Sequence, residues 1–313
     1  MPLSEPTPQT LTNPIARYFL ATRPAFLSAS ALAAVLGLAA AVHSGVAVVP
    51  LAALLTVLGA VVVHAGVNVL NDYYDALGGS DGANAERIFP FTGGSRFIQN
   101  GVLSLRQTAR LGWGLLAVGG LIGLGLVAVA GPGLLAIGLI GLLVGWGYSA
   151  TGVSLAGRGL GELAVVAGFG VLIPLGADWV QRGGFAWAPL LVGVPFGLLT
   201  LNLLFVNQFP DHRADAAAGK RHWVVRLGPR RARWLYGLIA GAAYLGLIAA
   251  VAAGPLPWLA LVALLPGWFS LRAFAGVLQF AEAPAFLEPA IRRSINALAA
   301  YAVLLAGALS VAG

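Results

Sequence analysis

A chain of 313 residues that is 59% hydrophobic and 9% charged, with a mean hydropathy of +0.87, falls outside the range of soluble globular domains, which carry about 25% charged residues. The absence of cysteine excludes disulfides and thiolate-held metals. A net charge of +7 has the right sign for a nucleic-acid partner, but the distribution of the cations along the chain excludes that reading.

Residues 1–16 are polar and Pro-rich, and they lack the apolar core of a cleavable signal. They are expected to form a disordered cytoplasmic tail ahead of a single transmembrane domain over 17–313. Nine apolar stretches follow, each near the roughly 20 residues that a bilayer span requires: 18–42, 47–71, 107–130, 133–150, 160–180, 188–210, 231–252, 256–278 and 290–312. The expected fold class is all-α, a polytopic membrane helical bundle. Span two runs into Asn68-Val-Leu-Asn71-Asp72-Tyr-Tyr-Asp75 and on to Asp81, with Arg87 and Arg96 after it. Span six runs into Asn207-Gln-Phe-Pro-Asp211-His-Arg-Ala-Asp215, with Lys220 and Arg221 after it. Pro210 lacks a backbone N–H and is expected to kink or end span six. Glycine pairs at Gly119/Gly123, Gly141/Gly145 and Gly237/Gly241 have the spacing of close helix packing.

With the N-terminus inside, these spans leave Arg17, Arg23, Arg87, Arg96, Arg106, Arg110, Arg158, Arg213, Lys220, Arg221, Arg226, Arg230, Arg231, Arg233, Arg272, Arg292 and Arg293 on one face and Arg182 alone on the other. The positive-inside rule makes the rich face cytoplasmic, so the N-terminus is expected inside and the C-terminus outside. The basic balance is thus a topology signal aided by anionic lipids. Arg230, Arg231, Arg233, Arg272, Arg292 and Arg293 read as lipid-headgroup anchors.

The two clusters hold five of the six Asp in the chain. Positions three and four apart share a helix face, so Asn68, Asn71, Asp72 and Asp75 are expected on one face and Asn207, Asp211 and Asp215 on another. Four spans separate the clusters, so both reach the same membrane surface, as in a weak internal repeat. Mg2+ takes hard oxygen ligands, commonly one or two carboxylates together with substrate phosphates. Two such ions between the clusters would offset the charge of a bound diphosphate and stabilise it as a leaving group. Lys220 and Arg221 can add to this. A lone Asp at a span end, or His212 or His64 alone, reads instead as an interfacial or packing residue.

Asn68–Asp81 (NVLNDYYDALGGSD) and Asn207–Lys220 (NQFPDHRADAAAGK) resemble the two Asp-rich motifs of the UbiA superfamily of intramembrane aromatic prenyltransferases. Three further features resemble its 1,4-dihydroxy-2-naphthoate polyprenyltransferase branch. They are the spacing Asn71-Asp72-x-x-Asp75-x5-Asp81, Thr92-Gly-Gly-Ser-Arg96 with Gly101-Val-Leu-Ser104, and Tyr148-Ser149 followed by Arg158-Gly-Leu-Gly-Glu162. Ala150-Thr-Gly-Val-Ser-Leu-Ala156 departs from that branch, which commonly has prolines there. The departure bears on the identity of the acceptor and not on the diphosphate half of the site.

The resemblance implies nine transmembrane helices around a central cavity, in a bacterial plasma (inner) membrane, with the site facing the cytoplasm. It implies Mg2+-dependent transfer of a polyprenyl group from a polyprenyl diphosphate to an aromatic acceptor, 1,4-dihydroxy-2-naphthoate of menaquinone biosynthesis. Asp72, Asp75, Asp81, Asp211 and Asp215 would hold the metal with Asn68, Asn71 and Asn207. Arg87, Lys220 and Arg221 would bind phosphate oxygens, while Arg96, Arg158 and Tyr148 would receive the acceptor. A 4-hydroxybenzoate or homogentisate acceptor stays open within the family. A secondary transporter and a non-catalytic scaffold stay open outside it.

Overall fold

The structure, a computed structural model, describes residues 5–79 and 84–313, and every regular element among them is helical. A short helix α1 (Pro14–Ala21) precedes α2 (Pro24–His43), α3 (Pro50–Gly78), α4 (Leu105–Ala130), α5 (Gly133–Ser149), α6 (Gly161–Arg182), α7 (Ala188–Ala217), α8 (Pro229–Ala252), α9 (Trp258–Phe280) and α10 (Glu288–Ala312). Proline opens α1, α2, α3 and α8 at the first helical position, where its missing N–H has no intrahelical partner to lose. A Ser104–Gln107 capping box starts α4.

Eight helices, all but α1 and α5, are long and apolar enough to cross a membrane. The 17 residues of α5 reach about 25 Å at 1.5 Å per residue, short of the ~30 Å hydrocarbon core. The ninth expected span is therefore a shorter apolar helix.

Three boundaries differ from the sequence-based expectation. The first span does not begin at 18, because Arg23 takes a left-handed backbone (φ 55°) and Pro24 starts a new helix after it. Helix α3 continues past 71 to Gly78, carrying its Asp cluster on helix. Pro210 does not end α7, which runs unbroken through Pro195 and Pro210 to Ala217. Neighbouring helices can re-satisfy the backbone groups that proline frees in a membrane bundle. The polar stretch from Glu5 to Asn13, expected as disordered tail, is docked. Glu5 accepts from Arg87 Nε (2.7 Å) and Asn100 Nδ2 (3.2 Å), so its carboxylate ties the chain start to the α3–α4 loop.

Helix α7 is central: 72% of its apolar window is buried, against 22% for α4. Its Phe196, Phe205 and Phe209 pack with Leu36 of α2, Leu247 of α8 and Ile291 and Leu305 of α10 in the main core. The glycine pairs act singly. A Cβ on Gly119 would lie 2.4 Å from Val63, one on Gly145 2.8 Å from Val67 and one on Gly237 2.6 Å from Phe274, whereas Gly123, Gly141 and Gly241 face open space. Between α7 and the helices α3, α4, α5 and α6 the bundle is left unfilled.

Candidate active site

The space enclosed there is a cavity of about 840 Å3 with an apolar body and one polar end. Val63, Val67, Leu134, Ile137, Phe169 and Leu172 represent the body. The polar end is where the last turns of α3 and α7 meet: Asn68, Asn71, Asp75, Asn207, Asp211, Asp215 and Lys220 all line the cavity. Tyr148, at the end of α5, lines it too.

Lys220 joins the clusters. Its Nζ is 3.0 Å from Asp75 Oδ1 of α3 and 3.0 Å from Asp215 Oδ1 of α7. Burial alone would lower the Lys220 pKa, but the two carboxylates outweigh it and hold the ammonium well above the ordinary lysine value. Residues 218–222 return toward the turn before α6, where the Arg221 N–H donates to Gly157 O (2.6 Å). That turn also brings His222 Nε2 to 3.2 Å from Asp215 Oδ2. Asn71 Nδ2 donates to Asp75 Oδ2 (3.1 Å) and to Ser149 Oγ (2.8 Å).

Asp211 is gripped by neutral donors of the α3–α4 loop, Asn84 Nδ2 (2.6 Å) and the Gly93 N–H (3.2 Å). Gly93 has φ 72°, and a Cβ there would strike Arg87 Cβ at 2.8 Å, so glycine is needed to bring that N–H in. Among the described residues Asp211 is the cluster carboxylate held without a cation.

Other expected residues lie elsewhere. Asp72 is buried on a neighbouring face, paired with Arg23 and accepting from the Ser95 N–H (3.2 Å). One residue beyond Asn71 is a turn of about 100° around a helix of 3.6 residues per turn, which carries Asp72 out of the cavity wall. Arg87 is engaged by Glu5 and by Asn84 O (2.7 Å). Arg158 Nη2 donates to Gly152 O (2.5 Å). Arg87, Arg96, Arg158 and Arg221 are outside the cavity wall, and Asp81 lies outside the described residues. Asn68 lines the wall while its Nδ2 donates to Thr22 O (3.0 Å) at the break before α2.

Sequence reasoning missed Arg23, Asn84, Gly93 and His222 as partners of the acids. It also missed the role of Glu162. This fully buried carboxylate accepts from Gln208 Nε2 (3.1 Å) and the Trp223 N–H (2.7 Å), tying α6 to α7 and to the turn that carries Lys220. His222, two residues after Lys220, was the readable signal among these. The others act across long sequence separations.

The donor set suits a hard divalent cation. The cavity end offers carboxylate and amide oxygens, with no soft ligand among them. Asn207 Oδ1 is buried there without a hydrogen-bond partner. The described carboxylates and imidazoles do not gather three to a point. Mg2+ needs one or two carboxylates together with phosphate oxygens, so the groups present fit it.

Residues 30–285 match the family described as the UbiA prenyltransferase family. The chain is 34% identical over 259 residues to a 1,4-dihydroxy-2-naphthoate octaprenyltransferase of Mycobacterium tuberculosis, covering 82% of this chain and 85% of that one. It is 29% identical over 231 residues to a 2-carboxy-1,4-naphthoquinone phytyltransferase of Synechocystis, covering 72% of this chain and 71% of that one. In fold it is similar to the apo structure of a UbiA homolog from Aeropyrum pernix, with a TM-score of 0.66 and 17% identity over 91% of this chain and 98% of that one.

Proposed function

Because this chain belongs to the UbiA prenyltransferase family, we propose that it transfers a polyprenyl group to 1,4-dihydroxy-2-naphthoate, with Mg2+ at the diphosphate head. It is an integral membrane prenyltransferase, and the transporter and scaffold readings end with that assignment. The observation that carries the finer reading is the Lys220 bridge, which closes the two Asp clusters over one end of an apolar cavity. The relatives named as naphthoate prenyltransferases support the acceptor.

In this reading α5 is the ninth membrane helix, and residues 17–313 form one domain in a bacterial plasma membrane. The N-terminus and both clusters face the cytoplasm, and the C-terminus faces outside. Asp75, Asp211 and Asp215, with Asn71 and Asn207, would hold the metal, joined by Asn68, Asp72 and Asp81. Bound Mg2+ supplies positive charge to the diphosphate oxygens as they leave. Lys220 adds a fixed point charge between the clusters, and Arg87 and Arg221 serve diphosphate oxygens from the adjoining loops. The apolar walls exclude water from the allylic cation left when the C1–O bond breaks, its electron pair departing with the diphosphate. The ring carbon that bears the carboxylate attacks C1, and loss of CO2 returns the electron pair that restores the aromatic ring. Tyr148 lines the ring pocket, and Arg96 and Arg158 meet the acceptor carboxylate on its way in.

Purified protein is to be assayed with 1,4-dihydroxy-2-naphthoate and 4-hydroxybenzoate side by side, with a series of prenyl diphosphates, and read by mass spectrometry. Prenylation of the naphthoate with loss of its carboxylate is expected. Prenylation of the benzoate or of homogentisate alone overturns the acceptor.

A further inference from the structure

The stripe that carries the first cluster continues into the apolar part of the cavity. His64, Asn68, Asn71 and Asp75 stand at i, i+4, i+7 and i+11 of α3, and all four line the cavity wall. At 1.5 Å per residue His64 is about 6 Å below Asn68 and about 16 Å below Asp75 along the axis. It is a polar ring in a largely apolar stretch of wall, to which Arg23 also contributes.

Its hydrogen bonding defines which nitrogen is available. His64 Nδ1 is 3.2 Å from Ser30 Oγ of α2. The Ser30 hydroxyl spends its one proton on Leu27 O (2.9 Å). With the proton there the oxygen accepts, and the hydrogen-bond network then assigns the ring hydrogen to Nδ1. In a neutral imidazole that leaves Nε2 as a lone-pair acceptor. Among the described residues the hydrogen bond of this ring is the one at Nδ1, and the ring itself lines the cavity. The Phe169 ring meets the imidazole edge-on at 5.0 Å and, with Ser30, fixes its orientation. Two hydroxyls in the same wall, Thr56 and Thr200, are already committed to backbone carbonyls of their own helices, Ala52 O (2.7 Å) and Phe196 O (2.9 Å).

We propose that His64 Nε2 accepts the hydrogen bond of a ring hydroxyl of the aromatic acceptor, so that His64 selects phenolic acceptors and sets the ring beneath the diphosphate head. The inference rests on the prenyl-transfer reading and deepens it. An attacking ring must lie on the membrane side of the diphosphate, which is where this stripe places His64. A buried donor left without a partner costs more than an ordinary hydrogen bond contributes, so a fixed acceptor in an apolar wall discriminates strongly for a hydroxyl.

The test reads binding without turnover, so that ring activation does not enter. Dissociation constants are measured for 1,4-dihydroxy-2-naphthoate and its two monohydroxy analogues, on wild type and His64→Phe, with farnesyl thiodiphosphate bound. Wild type is expected to lose about tenfold or more on removal of one of the two hydroxyls. His64→Phe is expected to bind the diol about tenfold more weakly and to be indifferent to that same hydroxyl, the non-additivity that marks a direct contact. Its affinity for the thiodiphosphate should stay within about twofold, which a merely misfolded variant would not show. If His64→Phe does not fold, Ser30→Ala decides, because it frees the imidazole to turn: about threefold weaker diol binding is expected, with no change for the analogue lacking the selected hydroxyl. Unchanged diol affinity in the variant, or losses that simply add, overturns the role of His64 alone. A wild-type protein that binds none of these naphthols overturns the acceptor reading and this inference together.

Discussion

Replacing Lys220 with methionine keeps an unbranched side chain, one atom shorter, and removes the ammonium that sits 3.0 Å from both Asp75 and Asp215. The two carboxylate oxygens it bridges are then within about 6 Å of each other with no cation between them, a repulsion of roughly 3 kcal/mol at an effective dielectric of 20. The Lys220 side chain is 20% exposed, so solvent screens little of this. Breaking a buried pair by removing one partner costs about 3–5 kcal/mol. If the same charge is needed as the diphosphate departs, kcat/KM should fall by roughly two to three orders of magnitude. The melting temperature of the metal-free protein should drop by several degrees, and added Mg2+ should restore much of it by screening the same two acids. Prenyl transfer and thermal unfolding in detergent read the two effects separately. A variant within about twofold of wild type in activity and unchanged in melting would refute the bridge as the link between the clusters. The sign of the pH dependence follows from the raised Lys220 pKa. The stability it contributes is fully present below the unfolded value of 10.5 and is lost only as pH rises through the higher folded value. This bridge should therefore be flat across neutral pH.

Asp211→Ala should nearly abolish turnover while leaving the Lys220 bridge and most of the stability intact, because Asp211 is held by neutral donors; wild-type turnover would exclude it from the diphosphate site. Cysteines introduced at exposed Ala217 and at Gly184, beyond the opposite end of α6, should react with impermeant reagents from opposite sides of the membrane, the first from the cytoplasm; labelling of both from one side would overturn the topology. Burial acts to raise the Glu5 pKa, but hydrogen bonds from Arg87 and Asn100 outweigh it and leave it below the usual 4.5. The docking of the chain start should then be complete above pH 4.5 and be lost as acid protonates Glu5, which hydrogen exchange of residues 5–13 would report. Exchange that does not change with pH there would contradict it.

The helices and the acids were legible in the sequence because each has a local signature: apolar runs near the length of a bilayer span, and Asp and Asn at helical spacing. What holds the acids was not. Arg23 reaches Asp72 across 49 residues, and Asn84 reaches Asp211 across 127, and no spacing rule spans such separations. Pro210 does not end its helix, since the cost of an internal proline is set by neighbours that a single sequence does not show. Asp72 stands one position, about 100° around the helix, from the stripe of Asn68, Asn71 and Asp75, and its pairing with Arg23 was not readable from the spacing. The place of His64 in the cavity wall was legible in its spacing to Asn68, Asn71 and Asp75, which sets it on the cluster stripe.

We propose that the two Asp clusters bind a prenyl diphosphate through a divalent cation and release its diphosphate. It is tested most directly by measuring diphosphate release from a prenyl diphosphate and acceptor by the purified protein, first stripped with EDTA and then titrated with Mg2+. No release is expected in EDTA, with full recovery on adding Mg2+ in the wild type and no recovery in Asp75→Ala or Asp215→Ala. Undiminished release in EDTA would contradict it.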